Sequence, residues 1–462
     1  MTKRKSKKRD ERHMMSRRSL IKWTLAAGAA FGVSRSRVYD VLEKTAGKQV
    51  AYAAEDGTAG YLISIHAGNG GLANFQLLWP QVDVAEAANP ASAWHNPSGT
   101  RRVDGTDKPL IVSDTTPWTN LGPRRQVSCF MAGNNQTHTP NRTFSVGGSP
   151  LSSVLAAMQT SRSSVIPAIG VGDVGSTNGV AGAPALAGVA SPDGIVSLFN
   201  SAASREGGIL ASSEDAEMYK AHYDALASLN RGANRSTTRS AYGTAKGAAS
   251  FLGSNLADVL AITAADEARY GVDGNMPDSI RQMARSFIVG VKAFKLGLTN
   301  ALFLPGMRDD PHGMFENGNG RALNTAINLT KVLNGLMDDL VEAQDGSGKS
   351  LADQTTIVIH GDTPKDPNVR EGWPDGTPGG SNWTYVYGAG YLKTGWFGSV
   401  DRNGNALGFD PASGSDAALD RATVGDAAGA AIAYAVSRGD SRRVAEFVGN
   451  INIEGIINPA LL

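Results

Sequence analysis

The sequence predicts an α/β fold with a mostly parallel central sheet flanked by helices. Two observations carry that prediction. Short apolar runs rich in Val, Ile and Thr end at glycines, and amphipathic stretches at helical spacing lie between them. Strands that alternate with helices in this way pair in parallel and are covered on both faces.

The elements are expected in this order. "GYLISIHAG", Gly60 to Gly68, is the first strand. "SPLSSVLAAMQTSR" is a helix with Ser149 as N-cap and Pro150 at the first helical position. "SSVIPAIGVG" is the next strand. "EDAEMYKAHYDALASLNRG" and "PDSIRQMARSFIVGVKAFKLGL" are amphipathic helices, and "TNALFLPGM" is a strand. Leu323, Ile327, Leu333, Leu336, Leu340 and Val341 recur at helical spacing and predict a helix over 321–344. The loop "GSGKSLAD" leads into the strand "QTTIVIHGD". "WTYVYGAGYLKTGWF" reads as strand, turn, strand, and "SDAALDRATVGDAAGAAIAYAVSRGD" as a final helical region. The Ala-, Gly- and Ser-rich stretch at 176–260 reads as a helical insert over the sheet.

The chain has 462 residues, 41% hydrophobic and 19% charged, which is ordinary globular composition. A single α/β domain over 54–462 accommodates the elements. The net charge of +1 gives no overall field that would attract nucleic acid. Cys129 is the only cysteine, so no intrachain disulfide forms, and it reads as a small buried hydrophobe. The tryptophans Trp79, Trp94, Trp118, Trp373, Trp383 and Trp396 lie in loop-like sequence, where they pack loops or stack on sugars.

The N-terminus carries Ser16-Arg17-Arg18-Ser19-Leu20-Ile21-Lys22 followed by an apolar run to Val33. This resembles a twin-arginine export signal, with Leu20 in place of Phe. The run is too short for a permanent membrane anchor. Residues 1–53 are therefore expected to be signal and linker, with a small-x-small cleavage point in Ala51 to Ala54. The expected location is periplasmic or secreted, with the Tat translocase as partner during export.

Candidate chemistry lies at strand ends, where sites in open α/β sheets form. His66, His95, His138, His312 and His360 stand out, while His222 lies on an expected helix as a surface or packing residue. Asp310-Pro311-His312 sets a carboxylate and an imidazole two residues apart after a strand, and His360 with Asp362 repeats the pattern. Together Asp310, His312, His360 and Asp362 could hold a divalent metal, zinc if imidazoles dominate, calcium or manganese if oxygens do. Read singly, each pair is also ordinary loop and capping chemistry. "HAGNGG" lacks the lysine of a phosphate-binding loop and reads as a glycine turn. No G-x-S-x-G elbow is present.

The export signal, "RDDPHG", the long helix, "LADQTTIVIHGDTPKDPN" and "GGSNWTYVYGAGYLKTGWFGSVDRNG" together resemble the Tat-exported sulfatase-like family called domain of unknown function 1501. That family belongs to the alkaline phosphatase superfamily. The likeness is clearest over about 285–437 and weaker over 60–172, where "NNQTHTPNRTF" and the helix after it match. The family has Asp-Thr-His where this chain has Asp310, Pro311 and His312. It has Ser-Glu-Phe-Gly-Arg-Thr-Pro where this chain runs Val358 to Pro364, with Ile359 in place of the acid and His360 at a metal-site histidine of the superfamily. An Asp-His pair becomes Ser381 and Asn382, and "GNGGLANFQLLWP" lacks the family's acid.

The resemblance implies a sulfatase-like fold and a metal-dependent hydrolase of phosphate or sulfate esters. The missing ligands imply one ion rather than two. The alternative is a non-catalytic envelope binding or assembly protein on the same scaffold. The substrate is left open.

Overall fold

The strand β1 (Tyr61–Ala67) is buried along its whole length, as its near-continuous apolar run requires of a central parallel strand. The computed structural model describes residues 59–81, 101–103, 108, 110–134, 138, 145–162, 164–199, 221, 225, 256–345, 348–375, 378–401 and 403–461. The export signal, His13, His95, Trp94 and His222 lie outside the described residues.

Around β1 the main sheet contains β2 (Val127–Asn134), β3 (Ile166–Val171), β4 (Ala187–Val189), β5 (Thr299–Pro305), β6 (Thr355–Gly361), β7 (Ser381–Tyr387) and β8 (Gly395–Phe397). The order is β8-β2-β7-β6-β1-β5-β3-β4. Only β7 runs against the others. The fold is thus α/β with a mostly parallel sheet of eight strands. Register sets Ile65 of β1 beside Ile359 of β6 and Leu304 of β5.

Successive side chains of a strand face opposite ways, so each strand feeds two cores. Ile63, Ile65, Ile357 and Ile359 face one, with Phe287 and Phe294 of α4 (Asp278–Lys295) and Leu329, Leu333 and Leu336 of α5 (Gly320–Glu342). Leu62, Val358 and Ala301 face the other, with Val154 of α2 (Leu151–Met158) and Ala427, Ala431 and Ile432 of α6 (Arg421–Val436). The short helices α1 (Leu72–Gln76) and α3 (Pro192–Phe199) complete the layers used below. Among the described residues no helix is long and apolar enough to cross a membrane.

The structure departs from the expected elements at several points. Pro150, not Ser149, caps α2, because its ψ of 132° is still extended. The long helix ends at Glu342, where Ala343 turns extended. β7 and β8 do not pair as a hairpin, since β2 lies between them. The expected final helical region begins with a short strand, Asp416–Ala418, before Asp420 caps α6 through the N–H of Ala422. Within 176–260, β4 extends the sheet edge and α3 follows, while most of 200–255 lies outside the described residues. His360 lies inside β6, as the expected strand "QTTIVIHGD" has it.

Cys129 is fully buried in β2, and burial pushes its thiol well up, as expected of an inert small hydrophobe. Trp79, Trp118, Trp373, Trp383 and Trp396 are also buried, which leaves no exposed stacking platform among them.

Candidate metal centre at the carboxyl edge of the sheet

β1, β2, β5 and β6 run the same way, so their carboxyl ends share one edge. His138 follows β2, and Asp310 and His312 follow β5. Lys365 and Asp375 follow β6, facing each other across an isolated bridge. One ligand atom from each of His138, Asp310, His312 and Asp375 lies within 4.8 Å of all the others.

The edges of this cluster are short. His138 Nε2 lies 3.2 Å from Oδ2 of Asp310 and 3.2 Å from Oδ2 of Asp375. His312 Nε2 lies 3.1 Å from Oδ2 of Asp310 and 3.4 Å from Oδ1 of Asp375. A tetrahedral ion with bonds of about 2.1 Å holds its ligands roughly 3.4 Å apart. The donor set could hold one four-coordinate ion, although Asp375 meets His138 and His312 through different oxygens.

The local backbone aims these groups. His312 Nδ1 lies 3.1 Å from the Gly372 carbonyl, to which it donates, and this leaves Nε2 with its lone pair toward the cluster. The turn after β1 holds the Asp310 loop. Asn69 Nδ2 donates to the Arg308 carbonyl at 3.2 Å, and Asn74 Nδ2 donates to that of Asp309 at 3.0 Å. Asn69 (φ 54°), His138 (φ 53°) and Thr363 (φ 51°) all take left-handed backbone here. For a β-branched residue such as Thr363 this is a genuine outlier. Strain of this kind, on the order of 1–3 kcal/mol per residue, gathers at functional sites. Thr363 Oγ1 accepts the His138 N–H at 2.8 Å, which ties two of the three together.

Lys365 enters the same cluster. Its side chain is fully buried, and its ammonium lies 2.5 Å from Oδ1 of Asp310, against Oδ1 of Asp375 and 3.1 Å from Nε2 of His312. Gln76 of α1 fixes its backbone on both sides. Gln76 Nε2 donates to the Lys365 carbonyl at 2.9 Å, and Gln76 Oε1 accepts the Lys365 N–H at 2.7 Å. Two carboxylates against one ammonium leave these three groups with a net charge of −1. Burial alone would raise the Asp375 carboxyl. The Lys365 hydrogen bond and charge, with His312 and His138, outweigh it and hold Asp375 below the usual carboxylate range.

Of the four ligands expected from sequence, Asp310 and His312 stand in this group, and His360 and Asp362 stand beside it. His360 is buried in the sheet, its Nε2 3.0 Å from Ser64 Oγ and its ring 5.5 Å from that of His66. Asp362 is 1% exposed and accepts the Gly70 N–H at 3.2 Å. Burial raises its carboxyl, and the Gly70 hydrogen bond and the His138 charge oppose this only in part. Ile359 is a core residue beside Ile65 of β1, so an acid there would face apolar side chains. Asn382 ties β7 to the end of β6 through the Gly361 carbonyl at 2.6 Å.

His138 stood out in sequence as one of five histidines and within "NNQTHTPNRTF", with no strand expected before it. Asp375 sits in "WPDGTPG", which reads as a turn, and nothing local marks Lys365 as buried. No family model matches the chain, and neither does any curated protein or solved structure.

Proposed function

We propose that this protein is an exported, metal-dependent hydrolase of phosphate or sulfate esters on a sulfatase-like scaffold. The observation that carries the reading is the four-cornered cluster of His138, Asp310, His312 and Asp375, with edges of 3.1–3.4 Å. Two imidazoles and two carboxylates suit zinc, and manganese next. Calcium wants six to eight oxygens and is served less well. A bound ion would act as a Lewis acid toward an ester oxygen. The chain's own part is to orient His312 through Gly372 and, through the buried Lys365 ammonium, to hold Asp375 ionised. The twin-arginine pattern at Ser16–Lys22 supports export to the periplasm or beyond. The strand-end motifs support the resemblance to the domain of unknown function 1501 family.

The test is elemental analysis of the exported protein, with assays on aryl phosphates and sulfates in added zinc, manganese and calcium. Turnover that follows metal content and vanishes in His312→Ala is the expected result. No bound metal together with no turnover refutes it.

Lys365 favours a second reading, a non-catalytic envelope binding or assembly protein. Its ammonium already touches both carboxylates, as a resident cation would. That reading expects no metal in the wild-type protein and metal uptake only in Lys365→Met.

A further inference from the structure

The turn that orients His312 is held from outside the metal cluster. It runs from Arg370 to Trp373 and is closed by the Trp373 N–H, which donates to the Arg370 carbonyl at 3.2 Å. The Gly372 carbonyl belongs to the peptide that joins Gly372 to Trp373, so its direction follows the backbone angles of those two residues. Both are left-handed, with φ of 63° and 37°. Gly372 takes that conformation freely. Trp373 does not, because a bulky side chain at positive φ is an outlier, and Pro374 after it favours a φ of about −120°. In this geometry the Gly372 carbonyl accepts twice, from His312 Nδ1 at 3.1 Å and from the Gly313 N–H at 3.2 Å.

Ring contacts hold the strained residue. Trp373 has no exposed surface. Phe315, three residues after His312, meets it edge-on with centroids 5.1 Å apart. The Arg370 guanidinium lies 4.5 Å from the Phe315 centroid and donates at 2.5 Å to Oδ1 of Asn319, the residue that opens α5. The turn and the His312 segment are thus packed together through side chains outside the ligand set. Strain alone does not mark a site. Trp118 is nearly as buried and is also left-handed (φ 66°), and its two N–H groups go to Asn334 Oδ1 and the Leu333 carbonyl of α5. What distinguishes Trp373 is the carbonyl beside it, which receives a proposed ligand.

We propose that Trp373 is a positioning residue of the metal centre. Its buried ring holds Gly372 so that His312 keeps its proton on Nδ1 and turns Nε2 toward the cluster. The inference rests on the metal-centre reading and adds to it a determinant that lies outside the ligands. An imidazole binds a metal through one nitrogen only in the right tautomer, and the group that receives its other N–H fixes that tautomer. His312 is half exposed, so its own packing does not fix its ring.

The test uses the full chain with isotope-labelled histidine at about pH 8, where neutral imidazole dominates. Nitrogen NMR reads the His312 tautomer in metal-free protein, and chelator competition reads zinc affinity. Wild type should show His312 protonated at Nδ1. Trp373→Leu should mix the two tautomers and weaken zinc binding roughly 10–100-fold, the loss expected when an outer-shell partner goes. Phe315→Leu, which removes the edge-on contact, should act in the same direction. Trp118→Leu should lower the unfolding midpoint as Trp373→Leu does, yet change neither readout. A folded Trp373→Leu with the wild-type tautomer and zinc affinity overturns the proposal, and Phe315→Leu decides in its place where Trp373→Leu does not fold. If wild type binds no zinc, the metal-centre reading fails, and the tautomer still decides whether Trp373 positions His312.

Discussion

The ammonium of Lys365 and the carboxylate of Asp310 stand 2.5 Å apart, the first on a side chain with no exposed surface. A buried charge persists only when it is paired, and removing one partner costs more than the pair gains. Asp375 shares the same ammonium, so the two carboxylates depend on one cation.

The first prediction concerns that lysine. Lys365→Met leaves Asp310 and Asp375, each about a fifth exposed, facing each other without a cation. In chelator the variant should lose about 3 kcal/mol of stability. Zinc should restore much of this, because the vacated space now holds two uncompensated carboxylates. Denaturant unfolding with and without zinc measures both effects. A variant as stable as wild type in chelator would contradict the ion-pair assignment.

The imidazoles behave differently. His312 is half exposed and contributes little packing. His312→Ala should cost under about 1 kcal/mol without metal. It should weaken zinc binding by more than the roughly 10–100-fold that loss of an outer-shell partner costs. Calorimetric titration of zinc into the folded variant decides this, and His138→Ala should behave alike.

The legibility of this protein in its sequence follows from contact range. The parallel strands were legible because Thr355 to Ile359 and Tyr61 to Ile65 are buried on both faces, which writes burial into consecutive residues. Asp310 and His312 were visible as a pair because only Pro311 separates them. Lys365 and Asp375 were not, since their pairing depends on the bridge that folds one loop back on itself. The place of β2 between β7 and β8 is likewise a contact across more than two hundred residues, with no local trace. His360, polar near the end of an apolar run, reads as a strand-end ligand, and Ser64 on the neighbouring strand receives it inside the sheet.

Two acids near the site should give opposite responses to pH in metal-free protein. The Asp362 carboxyl is raised in the native state, so its stabilising contribution is present below the unfolded range near pH 4 and is lost as pH rises through the native value. Asp375 is lowered, so its contribution is present above about pH 4 and is lost as pH falls through its native value. At neutral pH, Asp362→Asn should therefore match or exceed wild-type stability, and Asp375→Asn should fall below it. Both differences should shrink towards about pH 3, where both acids are protonated in the unfolded chain. Thermal midpoints across this range check the signs, and parallel curves for the two variants would contradict them.

Gly70 offers the sharpest test of how the turn after β1 places Asp310, the proposed metal ligand. Its φ is 85°, and a Cβ added there would lie 3.1 Å from the Cα, Cβ and Cγ atoms of Asp310. Gly70→Ala thus combines left-handed strain, about 1–2 kcal/mol, with a push on the ligand itself. Gly148 separates these effects, since its φ is 76° and nothing lies within 4 Å of an added Cβ. Both alanine variants should lose similar stability in chelator. Only Gly70→Ala should also weaken zinc binding, roughly tenfold, because a ligand displaced by a few tenths of an ångström no longer completes the tetrahedron. Equal zinc affinities in the two variants would mean that Asp310 does not hold the ion.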